Sequence, residues 1–118
     1  MKYLAITLFS QSTVTMNSAN TANNSEQFDI GEISRVWLQL TATGTSSTTD
    51  ISVQFQVSND PMSLVSGNST WINEGTAATF SGTAAFDKHT DLSAQKARVQ
   101  LSRNAGAAVM TIRASGKE

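Results

Sequence analysis

Apolar and polar residues alternate along most of this chain with the period of two that marks strands with one buried face. The pattern is cleanest over residues 50–58, where Ile51, Val53, Phe55 and Val57 fall on one side and Ser52, Gln54, Gln56 and Ser58 on the other. Ser58-Asn59-Asp60-Pro61 ends that run, since proline cannot donate to a ladder and Asn and Asp make their own turns. A second strand is predicted over 33–43. Val36, Leu38, Leu40 and Ala42 share one face, and Arg35, Trp37, Gln39 and Thr41 share the other. The small and hydroxyl residues 44–49 read as the turn of a hairpin joining these two strands. A third strand, 97–102, turns Ala97, Val99 and Leu101 inward. The turn Arg103-Asn104-Ala105-Gly106 then leads into a fourth strand, 107–114, with Ala108, Met110 and Ile112 on one face and Arg113 wet.

Weaker signals add short strands at 2–9 (Leu4, Ile6 and Leu8 on one side), 27–30, 69–73, 79–80 and 84–86, and one helical turn at 91–95. Turn residues recur about every ten positions with no helical period, which predicts an all-β fold: a single antiparallel β-sandwich over 1–118, jelly-roll-like or Ig-like, of about seven or eight strands. Residues 10–25 are polar, nearly uncharged and weakly patterned, and read as a low-complexity loop or arm, for which a neighbouring subunit is one candidate anchor. The apolar stretch 3–9 behind Lys2 has the look of a short signal peptide, but no small-x-small cleavage site follows it. It is therefore expected to belong to the domain.

Composition narrows the functions. Charged residues are 14% of the chain and the net charge is −1. The Lys and Arg residues are scattered in sequence, so neither nucleic acid nor a membrane is expected as a partner. About a quarter of the chain is Ser or Thr. A hydroxyl-rich, charge-poor surface repels its own copies weakly, which suits life in an assembly. There is no cysteine, which excludes disulfides and thiolate metal sites, and the single histidine, His89, excludes a histidine-rich zinc site. Asp87 and Asp91 flank His89 and are expected to form a solvated charge cluster with it. They and Asn59-Asp60 are the only calcium candidates, without the ligand density of a calcium loop. No nucleophile elbow and no phosphate-binding glycine loop occurs. No catalytic residue, cofactor or metal is expected, and the chain is not expected to be an enzyme.

Aromatic residues carry the remaining signal. Trp37, on the face opposite Val36, Leu38 and Leu40, points outward beside Arg35 and Gln39, the composition of an interface hot spot unless a loop of the same chain covers it. Trp71 is expected to plug one end of the sandwich. Met62 and Leu64, past Pro61, read as loop residues available for contact. The candidate interface is thus Arg35, Trp37, Gln39, Met62 and Leu64.

Two segments bear a family likeness. Val53 to Asp60 leads through a loop to Ser69-Thr70-Trp71-Ile72, and Lys96 to Gly106 leads to Ala108-Val109-Met110-Thr111-Ile112. Together they resemble small β-sandwich structural proteins of tailed-bacteriophage virions, in which a strand ends in Ser-Asn-Asp, a Trp follows, and a C-terminal hairpin carries an Arg-Val-x-Leu strand. Pro61 departs from that pattern, where a glycine is usual. The resemblance implies a capsid decoration or cement protein, homo-oligomeric with a trimer favoured. Its partners would be the major capsid protein or other virion subunits, in a virion assembled in the host cytoplasm. A tail or head–tail connector component and a carbohydrate-binding sandwich module are the alternatives.

Overall fold

The computed structural model describes residues 2–16, 21–43, 51–79, 84–103 and 106–118. Ten strands and one 3-10 turn are seen among them: β1 (Tyr3–Met16), β2 (Thr21–Asn24), β3 (Phe28–Asp29), β4 (Arg35–Thr43), β5 (Ser52–Ser58), the turn Ser66–Asn68, β6 (Ile72–Asn73), β7 (Ala78–Thr79), β8 (Ala84–His89), β9 (Lys96–Arg103) and β10 (Gly106–Lys117). They form two antiparallel sheets. The first runs β1-β10-β4-β8; the second runs β2-β9-β5-β6, with β3 also on β9 and β7 also on β5.

Because β2 and β3 lie along one edge and β6 and β7 along the other, the second sheet has four columns like the first. Numbering the eight columns in chain order, the first pairs with the eighth, the second with the seventh, the third with the sixth and the fourth with the fifth. The chain is one long folded-over hairpin wrapped into two sheets, which is the jelly-roll connectivity of the β-sandwich.

The inner faces supply the core. Val36, Leu38 and Leu40 of β4 and Met110 and Ile112 of β10 meet Val53 and Phe55 of β5 and Val99 and Leu101 of β9, all at most 1% exposed. Nine such side chains would not alternate with polar neighbours by accident; the period of two in the sequence is the period of the pleat. Gly116 is required where β10 meets the start of β4: a Cβ there would stand 2.5 Å from the Arg35 carbonyl oxygen.

Several expectations are corrected. The strands 33–43 and 51–58 do not form a hairpin, since β4 and β5 belong to opposite sheets; residues 44–50 lie outside the described residues. Nor do β9 and β10 pair, for the same reason, so the C-terminal hairpin implied by the family resemblance is absent. The expected arm at 10–25 is mostly strand: residues 10–16 extend β1 along β10, and 21–24 form β2 on β9, while 17–20 lie outside the described residues. Register shifts between Thr7 and Ser12 let β1 carry Leu4, Ile6, Leu8 and Phe9 all partly into the core. The helical turn at 91–95 does not form. Asp91 takes a left-handed φ of 58°, and the Leu92 N–H donates to the Ser34 carbonyl instead.

Candidate interface on an open sheet face

The two sheets treat their outer faces differently. On the second sheet, residues 59–71 fold back over the outward side of β5 and β9. The anchor is Lys96, fully buried, whose ammonium donates to the carbonyls of Pro61 (3.0 Å) and Leu64 (2.8 Å) and to Ser69 Oγ (2.6 Å). An ammonium has three donors, and all three are used. Asp60 closes the start of the loop by accepting from the Thr70 N–H (2.7 Å), and Gln27 Nε2 donates to the carbonyls of Met62 and Leu64. Trp71 lies across Arg98, 4.4 Å from the guanidinium carbon to the ring centre, and near Lys96, while its Nε1 donates to the Ser66 carbonyl. Arg98 Nε donates in turn to Gln56 Oε1, and burial pushes the Arg98 guanidinium pKa down.

This lid corrects two expectations and places a third. Gln56 and Ser58, predicted wet, are buried. Trp71 caps the outside of a sheet rather than an end, with its ring on Arg98. Met62 and Leu64 are, as expected, loop residues: Met62 is exposed and Leu64 half-buried, but both belong to the lid, on the sheet opposite Trp37. The five residues predicted as one interface are therefore divided between the two sides of the molecule.

The outer face of the first sheet carries no such lid among the described residues. Register places Arg35, Trp37 and Gln39 of β4 beside Lys117, Ser115 and Arg113 of β10 on one flank, and Trp37 and Gln39 beside Lys88 and Phe86 of β8 on the other. Tyr3 of β1 pairs with Lys117 at the margin. Trp37 is half-buried, with Lys88 Nζ 5.8 Å from its ring centre, whereas Phe86 is 76% and Tyr3 73% exposed. A hollow of about 350 Å³ opens between Trp37, Phe86, Ala5 and Arg113. Among the described residues, its lining comes from β1, β4, β8 and β10.

Electrostatically the face is one-sided. Arg35, Lys88, Arg113 and Lys117 all lie on it, half of the eight Lys and Arg residues of the chain. The single carboxylate in its four strands, Asp87, pairs in register with Leu38 and turns to the inner side. Cations scattered in sequence are thus gathered in space. Sequence reasoning placed Arg35, Trp37 and Gln39 correctly on an outer face but missed Phe86, Lys88 and Lys117. The signal was available: Phe86 and Lys88 alternate with Ala85 and Asp87, as Arg113, Ser115 and Lys117 alternate with buried Ile112 and Ala114.

His89 is also corrected. It is buried rather than solvated, its ring stacks on Phe55 (4.4 Å between centres), and Nε2 lies 2.8 Å from Asp87 Oδ2. Packed this way, the pair fastens the end of β8 to the core. Among the described residues no three His, Cys, Asp or Glu side chains converge as a metal site would require. No helix among them is long and apolar enough to cross a membrane.

The site and fold define a class, a jelly-roll sandwich with one lidded and one open sheet. Its fold is shared with particular solved structures. A particle of infectious bursal disease virus, described as a T13 viral particle, superposes with a TM-score of 0.61 at 7% identity over 99% of this chain. The VP2 subviral particle of that virus gives 0.60 at 6% identity, also over 99% of this chain. This chain spans about a third of the length of those viral chains, 31% and 32%. The SPBc2 prophage-derived protein YomS matches almost end to end, 98% of this chain and 92% of that one, with a TM-score of 0.53 at 11% identity. At these identities the likeness is one of fold. No family model and no curated protein sequence matches the chain.

Proposed function

We propose that this chain is a non-enzymatic structural subunit of a phage virion, a capsid decoration or cement protein that works through buried area rather than chemistry. The observation that carries the reading is the open, aromatic and cationic outer face of β1-β10-β4-β8 on a jelly roll whose other face is sealed by its own lid. The likeness in fold to viral-particle proteins and to a prophage protein supports it. Four strands at ~4.8 Å spacing and about nine residues at ~3.3 Å rise make a face of roughly 570 Å². Buried against a partner, it removes roughly 1,100 Å² in total, just above the ~1,000 Å² that a specific contact needs. A contact of that size is modest alone and becomes effective when repeated around a particle.

The test is addition of the purified protein to phage heads that lack it, followed by heating and measurement of genome release. Wild type is expected to bind and raise the release temperature, and Trp37→Ala to bind poorly while keeping its own melting temperature. Wild type that leaves such heads unchanged sinks the decoration role; binding to purified tails instead moves the protein to the tail or head–tail connector.

A further inference from the structure

We infer that two copies of this chain join edge to edge through β8, strand antiparallel to strand about a twofold axis, so that their first sheets run on as one. Two sheets have four outer edges, and three are blunted here. The β1 edge carries register shifts between Thr7 and Phe9 and between Phe9 and Ser12, and a bulged strand bends away from a partner. One edge of the second sheet is split between β2 and β3, and the other between the two-residue strands β6 and β7. Among the described residues β8 alone is left. It pairs with β4 from Ala84 to His89 without a shift, contains no proline, and has no strand on its outer side. Its inward charge is no deterrent, since Asp87 is largely buried and lies 2.8 Å from His89 Nε2.

The residues of β8 select a second copy as the occupant of this edge. A twofold contact sets residue i opposite residue j and j opposite i. Opposed residues share a face of a sheet, so the exposed Ala84, Phe86 and Lys88 pair among themselves. Two registers then align five residues of each strand, 84–88 or 85–89. The second is centred on Asp87 and sets two carboxylates opposite each other, which is destabilising. The first is centred on Phe86. It sets Phe86 opposite Phe86, Ala84 opposite Lys88 and Ala85 opposite Asp87, with no like charges opposed. Phe86, 76% exposed in the single chain, gains an aromatic neighbour at the axis. The two Lys88 ammoniums stand four residues apart along the seam, about 13 Å at ~3.3 Å per residue, beyond the roughly 8 Å over which exposed charges act at physiological salt. The axis is perpendicular to the sheet, so both open faces look the same way and the surface offered to a particle doubles. The pairing itself does not depend on that use of the face. A five-residue seam is only about 16 Å long, which places the contact in the weak, transient class.

The experiment is sedimentation equilibrium of the full-length protein, without phage heads, from about 10 μM to about 1 mM, a range suited to so small a contact. Four proteins are compared: wild type, Ala84→Glu, Ala84→Lys, and Ala84→Lys with Lys88→Glu. Both positions are exposed, and each variant is first checked for an unchanged thermal melt. Wild type is expected to dimerise and to form nothing larger. Ala84→Glu meets Lys88 of the other copy twice per dimer and tightens association about threefold or more, whereas Ala84→Lys opposes two lysines twice and weakens it by as much. The double variant again opposes unlike charges and recovers at least the wild-type association. Wild type monomeric throughout the range overturns the inference, as does an open-ended assembly. A dimer indifferent to the charge at 84 overturns the β8 edge and its register. Monomeric wild type that adds to phage heads, with addition lost in Ala84→Lys, assigns the edge to a strand of the particle instead. A chain that dimerises through β8 yet leaves phage heads unchanged keeps this inference and overturns the decoration reading.

Discussion

Lys96 offers the sharpest test of how the lid is held. Its ammonium is buried and donates to two carbonyls and one hydroxyl, all on residues 61–69. Lys96→Met keeps the unbranched apolar stem and removes the charge. Two opposing terms then set the magnitude. Charge-assisted hydrogen bonds contribute about 1.5–3 kcal/mol each, and an unsatisfied buried acceptor costs about 1–3 kcal/mol. Against these, methionine is relieved of the several kcal/mol needed to take an ammonium out of water. All three acceptors retain another partner: the Leu64 carbonyl keeps Gln27, the Pro61 carbonyl keeps the Leu64 N–H (3.0 Å), and Ser69 Oγ still donates to the Val65 carbonyl, so the loss is mainly that of the charge-assisted bonds themselves. The net expected destabilisation is about 2–3 kcal/mol, which for a chain of this size lowers the melting temperature by roughly 8–15 °C. The assay is urea unfolding followed by circular dichroism, with limited proteolysis of the folded protein. Cleavage is expected within 59–71 before the sheets unfold. A Lys96→Met protein within 1 kcal/mol of wild type, with an uncut lid, refutes the reasoning and means the desolvation of the ammonium cancels its hydrogen bonds.

Three further outcomes are expected. Gly116→Ala, which places a Cβ 2.5 Å from the Arg35 carbonyl and 3.1 Å from Ile33 Cγ2, forces β10 away from β4 and costs about 1–3 kcal/mol, read by the same urea unfolding. Trp71→Ala uncovers Arg98 and removes one of the two donors on the Ser66 carbonyl, so the lid becomes protease-sensitive; Trp71→Phe, which keeps a ring but loses the Nε1 donor, is cut at an intermediate rate. Phe86→Ser, at a side chain 76% exposed, leaves the melting temperature within about 2 °C, because exposed substitutions change stability by about 0.5 kcal/mol or less, while binding to phage heads that lack the protein falls.

The sequence carried which way side chains point far better than which strands meet. The alternation at Val36, Leu38 and Leu40 or at Val53 and Phe55 is produced by burial of one face, and burial is what it reports. Sheet membership leaves no such trace. A jelly roll sends 33–43 and 51–58 to opposite sheets, although each alternates as a hairpin arm would. Residues 10–16 escaped for a related reason. Their backbone pairs along β10, but their polar, weakly alternating sequence carries no period of two, so a strand looked like a loop. Lys96 was read as one of several scattered charges because its partners are main-chain carbonyls of 61 and 64, which no residue type announces. The interface was half legible. Arg35, Trp37 and Gln39 share one strand, so the period reveals them together, whereas Phe86, Lys88, Arg113 and Lys117 join them only through register.

The asymmetry between the two outer faces accounts for where the candidate site lies. Both sheets present a row of long polar side chains outward: Gln54, Gln56, Arg98 and Lys96 on one, Arg35, Gln39, Arg113 and Lys88 on the other. On the second sheet the chain supplies its own partners for that row through the Pro61, Leu64 and Ser66 carbonyls, Ser69 and Trp71. The cations there are consequently buried and spoken for. On the first sheet the described chain supplies little: Arg35 reaches the Glu118 main-chain oxygen (3.4 Å), Lys88 lies near the Trp37 ring, and Phe86 and Tyr3 remain uncovered. The lid shows what such a row accepts when covered: carbonyl and hydroxyl oxygens for the cations and an aromatic ring laid across a guanidinium. A surface that is to cover the open face has to present the same chemistry, with oxygen acceptors spaced to meet Arg35, Lys88 and Arg113 and an apolar group for the hollow beside Trp37. Carboxylates meet the first requirement more strongly than neutral oxygens do.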